Sequence, residues 1–551
     1  MPEKTTILSV ENLRISFAGV QTFAAVDGVS FQLEQGQTLA IVGESGSGKS
    51  LTALSLIGLL PPVAEQTGSI QLTTDKGTFD IRENGHDLRG NEIGMVFQEP
   101  MSSLNPVMKI GKQITEGIML HRQVKEQEAK KIATDWLAKV QLPDPAEIYK
   151  RYPHQLSGGQ KQRVMIAMAM CNHPVLLIAD EPTTALDVTV QKEVLELMAT
   201  LQKEQGTAMI FITHDLALAA QIADEVLVMQ QGKVMEQGKA EQVLKSPVNS
   251  YTKALLACRP TAEHKGKRLM VVDDFLQGRD NTGDSKDSKK IVGENILEVN
   301  NLKVWFETAH NWLGKTTDYF KAVNDVSFSL RKGEVLGLVG ESGCGKSTIS
   351  KSLMGLLPVH EGQVLFNGRD LAILSQKEWR QVRKDIQMIF QDPFASLNPR
   401  MSIGDMLMEP LAVHNILPGN ERRKEAQRLL DVVQLPADSM RRYPHQFSGG
   451  QRQRLGIARA LAVRPQLLIC DESVSALDVS VQAQILNLLK DLQNEFDLSY
   501  LFISHDLNVV HYISDRVMVM QTGKIVESGD ARQVLKTPVS NYTKRLIASM
   551  P

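Results

Sequence analysis

GESGSGKS, residues Gly43 to Ser50, recurs as GESGCGKS, residues Gly340 to Ser347. Each copy follows an apolar run (TLAIV, EVLGLV) that reads as a buried strand, and each opens a stretch with helical spacing. A GxxxxGK[ST] string has a physical reason. Its glycines let backbone N–H groups close on phosphates, its lysine reaches the β- and γ-phosphates, and its hydroxyl meets Mg²⁺. At the ordinary glycine frequency, a chance match in a chain this long is expected on the order of a few times in a hundred. Two matches in the same strand-then-helix context are not chance. They make Gly43, Ser45, Gly46, Gly48, Lys49 and Ser50, and Gly340, Ser342, Gly343, Gly345, Lys346 and Ser347, the expected phosphate-binding residues.

The repeat extends beyond the loops. The loop starts, Gly43 and Gly340, lie 297 residues apart; LSGGQ at Leu156 and FSGGQ at Phe447 lie 291 apart, as do Asp180 and Asp471. A chain of 551 residues exceeds what one core supports and fits two domains of about 250 residues. Residues 1–258 and 295–551 are the two expected domains, with 259–294 between them as a flexible linker. Within it, QGRDNTGDSKDSKK (Gln277 to Lys290) is too polar to order itself, whereas RLMVVDDFL (Arg268 to Leu276) is apolar enough to dock at a place the sequence does not reveal.

Composition narrows the function classes. Hydrophobic residues at 42% and charged residues at 23% describe an ordinary globular protein, and a net charge of -2 lacks the basic footprint of a nucleic-acid binder. The start MPEKTT has no signal-peptide pattern, and the apolar stretch Leu51 to Leu60 is too short to span a bilayer. A membrane role therefore has to come through a partner. Cys171, Cys258, Cys344 and Cys470 show no metal-ligand spacing and read as reduced thiols. Cys344 sits in the second phosphate loop, where a small residue tolerated at a variable position is the plainer reading than a redox sensor.

Strands and helices alternate through both halves, so the expected fold class is α/β with a largely parallel sheet. ILSVENLRISF (Ile7 to Phe17) and ILEVNNLKVWF (Ile296 to Phe306) alternate as half-buried antiparallel strands do, and helical signals dominate about 100–155 and 393–446. The pairs Asp180-Glu181 and Asp471-Glu472 end apolar strands, at the edge where ligands of such sheets bind. The aspartate would hold Mg²⁺ and the glutamate would polarise the attacking water.

LSGGQKQR (Leu156 to Arg163) and FSGGQRQR (Phe447 to Arg454) resemble the signature motif of ATP-binding cassette (ABC) proteins, and the resemblance covers both halves. It implies two P-loop NTPase cassettes, each with a RecA-like core, an antiparallel β subdomain and an inserted helical subdomain. ATP and Mg²⁺ are the implied cofactors. It further implies that Ser157, Gly158, Gly159 and Gln160 serve the nucleotide on Lys346, while Ser448, Gly449, Gly450 and Gln451 serve that on Lys49. Gln98 and Gln391 match the glutamine that senses Mg²⁺ and the transporter interface, and His214 and His505 match the switch histidine. Asp187 and Asp478 match a loop crossing the dimer; outside that context they read as helix caps. Phe17 and Phe306 take the adenine-stacking place, where tyrosine is usual and a strand-core role competes. Leu51 and Thr348, next after the loop hydroxyls, complete the ATP-contacting set. Ser473 stands where proline is expected, yet both sites keep Glu181, Glu472, His214, His505 and their signature serines, and both are expected to hydrolyse.

SLNP (Ser103 to Pro106, Ser396 to Pro399), YPHQ (from Tyr152 and Tyr443) and the closing SPVNSYTKALL and TPVSNYTKRLI are similar to the oligopeptide, dipeptide and nickel importer ATPases. The resemblance implies two membrane permeases and an external solute-binding protein as partners, no nucleic acid, and a peripheral place on the cytoplasmic face of the bacterial inner membrane. The C-terminal cysteine cluster some members carry is not expected, since only Cys258 follows Tyr251 in the first half. Met101, Leu104, Phe394 and Leu397 are the expected contact patch for the permeases, with internal packing the competing reading. The alternative class is a soluble tandem ABC ATPase acting on the ribosome or DNA. Ribosomal members join their cassettes by a charged helical arm, unlike this Gly- and Ser-bearing linker, and DNA-repair members carry zinc modules that no cysteine spacing here permits.

Overall fold

The computed structural model describes residues 5–18, 23–99, 103–184, 186–279, 293–310, 316–392, 394, 396–475 and 477–550. It divides into two units, one ending at Ala257 and the other running from Cys258 to Met550.

In the first unit, β1 (Thr6–Phe17) and β2 (Phe23–Glu34) pair antiparallel, and Leu13, Ile15, Val26 and Val29 point into the core. After β3 (Thr38–Val42), the strands β4 (Ala64–Thr74) and β5 (Gly77–Asp80) complete this first sheet in the order β2-β1-β4-β5. A second sheet adds β6 (Ile93–Val96), β7 (Leu176–Asp180), β8 (Ala208–Thr213), β9 (Glu225–Gln230) and β10 (Lys233–Lys239), in the order β10-β9-β3-β8-β7-β6. It is parallel from β9 to β6, with β10 antiparallel at the edge.

Every residue of β3, β7 and β8 is buried, which is why these strands read as unbroken apolar runs. Along β7, Leu176 and Ile178 enter the core shared with the antiparallel sheet. Leu177 and Ala179 enter the core beneath the helices.

Helix α1 (Lys49–Leu56) follows the first loop. The expected helical insert contains α2 (Ile110–Arg122) and α3 (Glu126–Lys139) and leads into α4 (Gly158–Met170). Ile114, Ile118, Ala133 and Trp136 line its core. Helices α5 (Val188–Gln205), α6 (Leu216–Ile222) and α7 (Ser250–Ala257) finish the unit. Leu104 belongs to the insert's core at 2% exposure and Leu397 is 3% exposed, so neither forms an exposed patch. Leu104 packs with Ile110, Ile114 and Trp136 of the insert's core, so internal packing claims it. Phe394 is exposed as expected, and Met101 lies outside the described residues.

The second unit begins with the chain from Cys258, including α8 (Val272–Leu276). Of the segment 259–294 expected to be a flexible linker, residues through Arg279 are folded and 280–292 lie outside the described residues. Leu269 and Val272, buried at 2% and 4% exposure, are the physical reason. One sheet then orders β11 (Asn295–His310), β12 (Thr316–Arg331), β14 (Glu361–Phe366) and β15 (Arg369–Asp370) as β12-β11-β14-β15. The other, from β13 (Val335–Val339), β16 (Ile386–Ile389), β17 (Leu467–Asp471), β18 (Ser499–Ile503), β19 (Arg516–Gln521) and β20 (Lys524–Asp530), runs β16-β17-β18-β13-β19-β20. Its helices include α9 (Lys346–Leu353), α10 (Ile403–Val413), α11 (Gly419–Val432), α12 (Gly449–Leu461), α13 (Val479–Phe496), α14 (Leu507–Ile513) and α15 (Asn541–Ala548).

Candidate functional site

In each unit three parallel strands deliver their C-terminal ends to one edge: β3 to the phosphate loop, β7 to Asp180, and β8 to His214, with β13, β17 and β18 matching them. Gly43, Gly48, Gly340 and Gly345 of the loops are sterically required. A Cβ on Gly43 would lie 2.2 Å from the Met229 carbonyl oxygen, and one on Gly340 would lie 2.2 Å from that of Met520. Gly48, at φ 100°, caps α1 in the left-handed conformation with no side chain bonded to the helix end. The first-turn N–H groups have no partner within the helix, and that end carries partial positive charge, which suits an anion. Ser45, Gly46, Ser342 and Gly343 form the loop tips; Leu51 and Thr348 lie in the first turns of α1 and α9, half-buried.

Lys49 is 5% exposed, and its Nζ donates to the carbonyls of Gly43 at 2.7 Å and Glu44 at 2.8 Å. The Ser50 hydroxyl donates to Asp180 Oδ1 at 3.3 Å. Three groups then converge on one oxygen, Glu181 Oε2: the Gln98 amide at 3.1 Å, the Thr184 hydroxyl at 2.9 Å and His214 Nδ1 at 3.2 Å. The second unit repeats the arrangement. Lys346 donates to the Gly340 carbonyl at 2.7 Å, Ser347 to Asp471 at 3.2 Å, and Gln391 to Glu472 at 2.7 Å, with His505 Nδ1 at 3.5 Å from the same Glu472 oxygen.

Glu181 and Glu472 hold positive φ, 45° and 49°. Their N–H groups still bond the neighbouring strand, to Ile212 and Ile503, and the left-handed turn then swings the carboxylate across the edge toward the loop. Non-glycine residues adopt this conformation at a cost of about 1 to 3 kcal/mol, and such strain clusters at functional sites.

Burial and neighbouring charges compete to set the charge in the cluster. Burial pushes the Glu181 carboxyl up, but His214, Thr184 and Lys49 outweigh it and hold it down at about 2. Glu472 is lowered in the same way, with His505 and then Lys346 overcoming burial. Asp180 and Asp471 are raised, chiefly by burial, with the adjacent glutamate adding to it. Each site thus pairs an ionised glutamate with an aspartate that gains from a nearby cation.

The signature residues are built differently. Ser157 accepts the Gln160 N–H at 3.3 Å while Gln160 Oε1 accepts the Ser157 N–H at 3.1 Å, a reciprocal cap that opens α4. Ser448 and Gln451 do the same for α12. Gly158 and Gly449 lie in the first turn beside Gly159 and Gly450, where a Cβ would crowd Val190 at 2.7 Å and Val481 at 2.3 Å. None of the described hydrogen bonds joins these serines and glutamines to the cluster of their own unit. Asp187 caps α5 by accepting from Val190 at 3.0 Å, and Asp478 occupies the matching position before α13. Phe17 is half-buried against the core, whereas Phe306 is 40% exposed.

Residues 26–184 and 323–475 match the family described as ABC transporter. This chain belongs to the ABC transporter family. Residues 235–274, which run past the first unit's end into the chain that follows, and residues 526–551 match a second family pattern, "Oligopeptide/dipeptide transporter, C-terminal region". Curated relatives named "Glutathione import ATP-binding protein GsiA", from Escherichia coli O157:H7 and Escherichia coli K12, are 48% identical to it over 99% of this chain and 89% of theirs. That from Shigella flexneri is 47% identical over the same shares. The chain is a tandem ABC ATPase of the oligopeptide/dipeptide transporter group.

The cassettes also hold contacts that motif reading missed. Tyr251 on α7 donates its hydroxyl to Glu44 Oε2 at 3.1 Å, and the Glu341 N–H donates to the Tyr542 hydroxyl of α15 at 3.1 Å. Both tyrosines lie in the peptide-transporter C-terminal region, and the repeated SYTK and NYTK were the available signal. Ser350 adds a second hydroxyl to Asp471 at 3.0 Å, with no counterpart motif to reveal it. Just after Gln391, the Arg452 guanidinium of the signature helix lies 3.4 Å from the Phe394 ring centre, and Arg459 of the same helix bonds the Ser396 carbonyl. Among the described residues, no helix is long and apolar enough to cross a membrane. None of the four cysteines is in a disulfide, all are buried, and burial raises Cys344 rather than activating it.

Proposed function

We propose that this chain hydrolyses ATP at both sites to drive import of glutathione or a peptide of similar size, through two membrane permeases fed by an external binding protein. The observation that carries it is the completeness of both clusters: loop lysine, loop serine, aspartate, glutamate, glutamine and histidine all stand in bonding range in each cassette. The cargo class rests on the full-length likeness to proteins named for glutathione import and on the two peptide-type C-terminal regions.

In this reading Lys49 and Lys346 neutralise β- and γ-phosphate charge, and the first turns of α1 and α9 cradle it. Ser50 with Asp180, and Ser347 with Asp471, would hold Mg²⁺. Each pair sets a hydroxyl and a carboxylate oxygen side by side, a hard-donor set that suits this ion. When bound, the ion neutralises charge on the transferring phosphoryl group. Glu181 and Glu472 orient the attacking water. A carboxylate held at about 2 is a weak base, so Glu181 acts mainly by placement, which phosphoryl transfer allows. His214 and His505 fix these glutamates, and Gln98 and Gln391 report the state of each site to the helical insert. Phe17 and Phe306 supply the aromatic face for adenine, and the signature residues, bonded only into their own helix caps, act on nucleotide carried by the other cassette.

Uptake of labelled glutathione and of a tripeptide series, in cells with this gene deleted and then restored, tests the cargo. Unchanged uptake of all of them on deletion, with the chain co-sedimenting with ribosomes, would favour the soluble tandem class instead.

A further inference from the structure

The chain between the cassettes carries an element that neither ATP chemistry nor the phosphate loops use. Residues 258–279 cluster with the second cassette, where they meet α13 and α14. The Leu269 N–H donates to Asn487 Oδ1 at 3.0 Å, and Asn487 Nδ2 donates back to the Leu269 carbonyl at 2.9 Å, both buried. Tyr512 donates its hydroxyl to the Lys267 carbonyl at 3.1 Å, and Lys265 donates to the Ser514 carbonyl at 2.9 Å. Arg268 reaches both oxygens of Asp491 at 2.9 Å. Asn487 and Tyr512 are 3% and 1% exposed, the burial of an occupied dock.

The repeat supplies its own control. In the first cassette the equivalent positions on α5 and α6 are Glu196 for Asn487, Thr200 for Asp491 and Gln221 for Tyr512, all exposed. At these positions the first cassette has no asparagine and no buried tyrosine. The partner groups are main-chain, so the dock reads an extended chain and takes its register from Leu269.

We propose that the α13–α14 face of the second cassette is a docking site for residues 258–277 of this chain, which hold the two halves together without the covalent link that follows. The dock also bears on the chemistry. Helix α14 starts two residues after His505, and α13 starts directly after Asp478, so one strap grips the middle of α13 and the far end of α14.

The test places a protease site within residues 280–290 of the full chain and cuts it. The cut halves are expected to co-elute at micromolar concentration without nucleotide. Asn487→Ala, which leaves two buried main-chain groups without their partner, is expected to weaken that association about tenfold or more. Leu269→Asp alters only the strap, outside both cassette cores, and is expected to separate the halves while each retains nucleotide binding. In the uncut chain, hydrogen exchange at the Leu269 amide should be slow and should speed up in Asn487→Ala. Cut parent halves that part, variant halves held as tightly as the parent's, or a fast-exchanging Leu269 amide in the parent would each overturn the docking site.

Discussion

Tyr251 gives its hydroxyl hydrogen to the Glu44 carboxylate, whereas Tyr542 takes the N–H hydrogen of Glu341, both across 3.1 Å. The same helix, tyrosine and loop position meet in the two cassettes with opposite donor roles. In each case the peptide-transporter C-terminal region braces the second residue of the phosphate loop, whose carbonyl also holds the loop lysine. Tyr251→Phe and Tyr542→Phe are each expected to weaken ATP binding in their own cassette. The change should be about twofold to tenfold, the worth of one hydrogen bond. Titration with a fluorescent ATP analogue checks it, and unchanged affinity in both variants removes the brace from the account.

The parts of the site that were legible in advance are those written as contiguous strings. A phosphate loop, an acidic pair at a strand end and a histidine after the next strand each carry their geometry within a few residues, and the parallel sheet then brings the strings together. The Tyr251–Glu44 contact spans 207 residues, and the repeated SYTK and NYTK mark the tyrosines without saying what they touch. Leu104 and Leu397 show the opposite failure: in sequence each is an apolar residue in a polar loop, and only tertiary packing decides that both turn inward. The place where Leu269 docks was hidden because its partner, Asn487, is a polar residue on an amphipathic helix and looks like a surface position.

Loss of one loop lysine is expected to cost more than its own site. Lys49→Ala or Lys346→Ala should each cut ATPase activity far beyond half if the two sites work as one coupled pair, as proposed. Steady-state phosphate release from the two single variants decides this. Two half-activities that sum to the parent rate would show independent sites.

Glu181→Gln combined with Glu472→Gln keeps the size and positive-φ backbone of each glutamate but removes the carboxylate that orients water. The hydrogen bonds described for Lys49, Ser50, Lys346 and Ser347 do not go to these side chains, so nucleotide is expected to bind and be retained while turnover falls about a hundredfold or more. Retention on a filter and single-turnover kinetics measure the two effects separately. Turnover at the parent rate would reassign both glutamates.

His505 and Glu472 set a pH dependence with a definite sign. Burial lowers the imidazole pKa, but the Glu472 carboxylate 3.5 Å away outweighs it and leaves the group raised above its ordinary 6.5. A raised folded-state pKa means the protonated imidazole stabilises the fold. That contribution is complete below about 6.5 and is lost as pH rises through the folded-state value. Glu472 is depressed below its ordinary 4.5, so its share is present above that pH and is lost only as pH falls through the lowered value. The pair is therefore strongest between the two ordinary values and weakens on the alkaline side. Histidine-labelled protein followed by NMR should show His505 titrating above 6.5, and Glu472→Gln should move that midpoint down. The urea midpoint of the parent should fall between about pH 6 and pH 8.5 by more than that of His505→Gln. A His505 midpoint at or below 6.5 in the parent would mean that burial, not Glu472, governs the switch histidine.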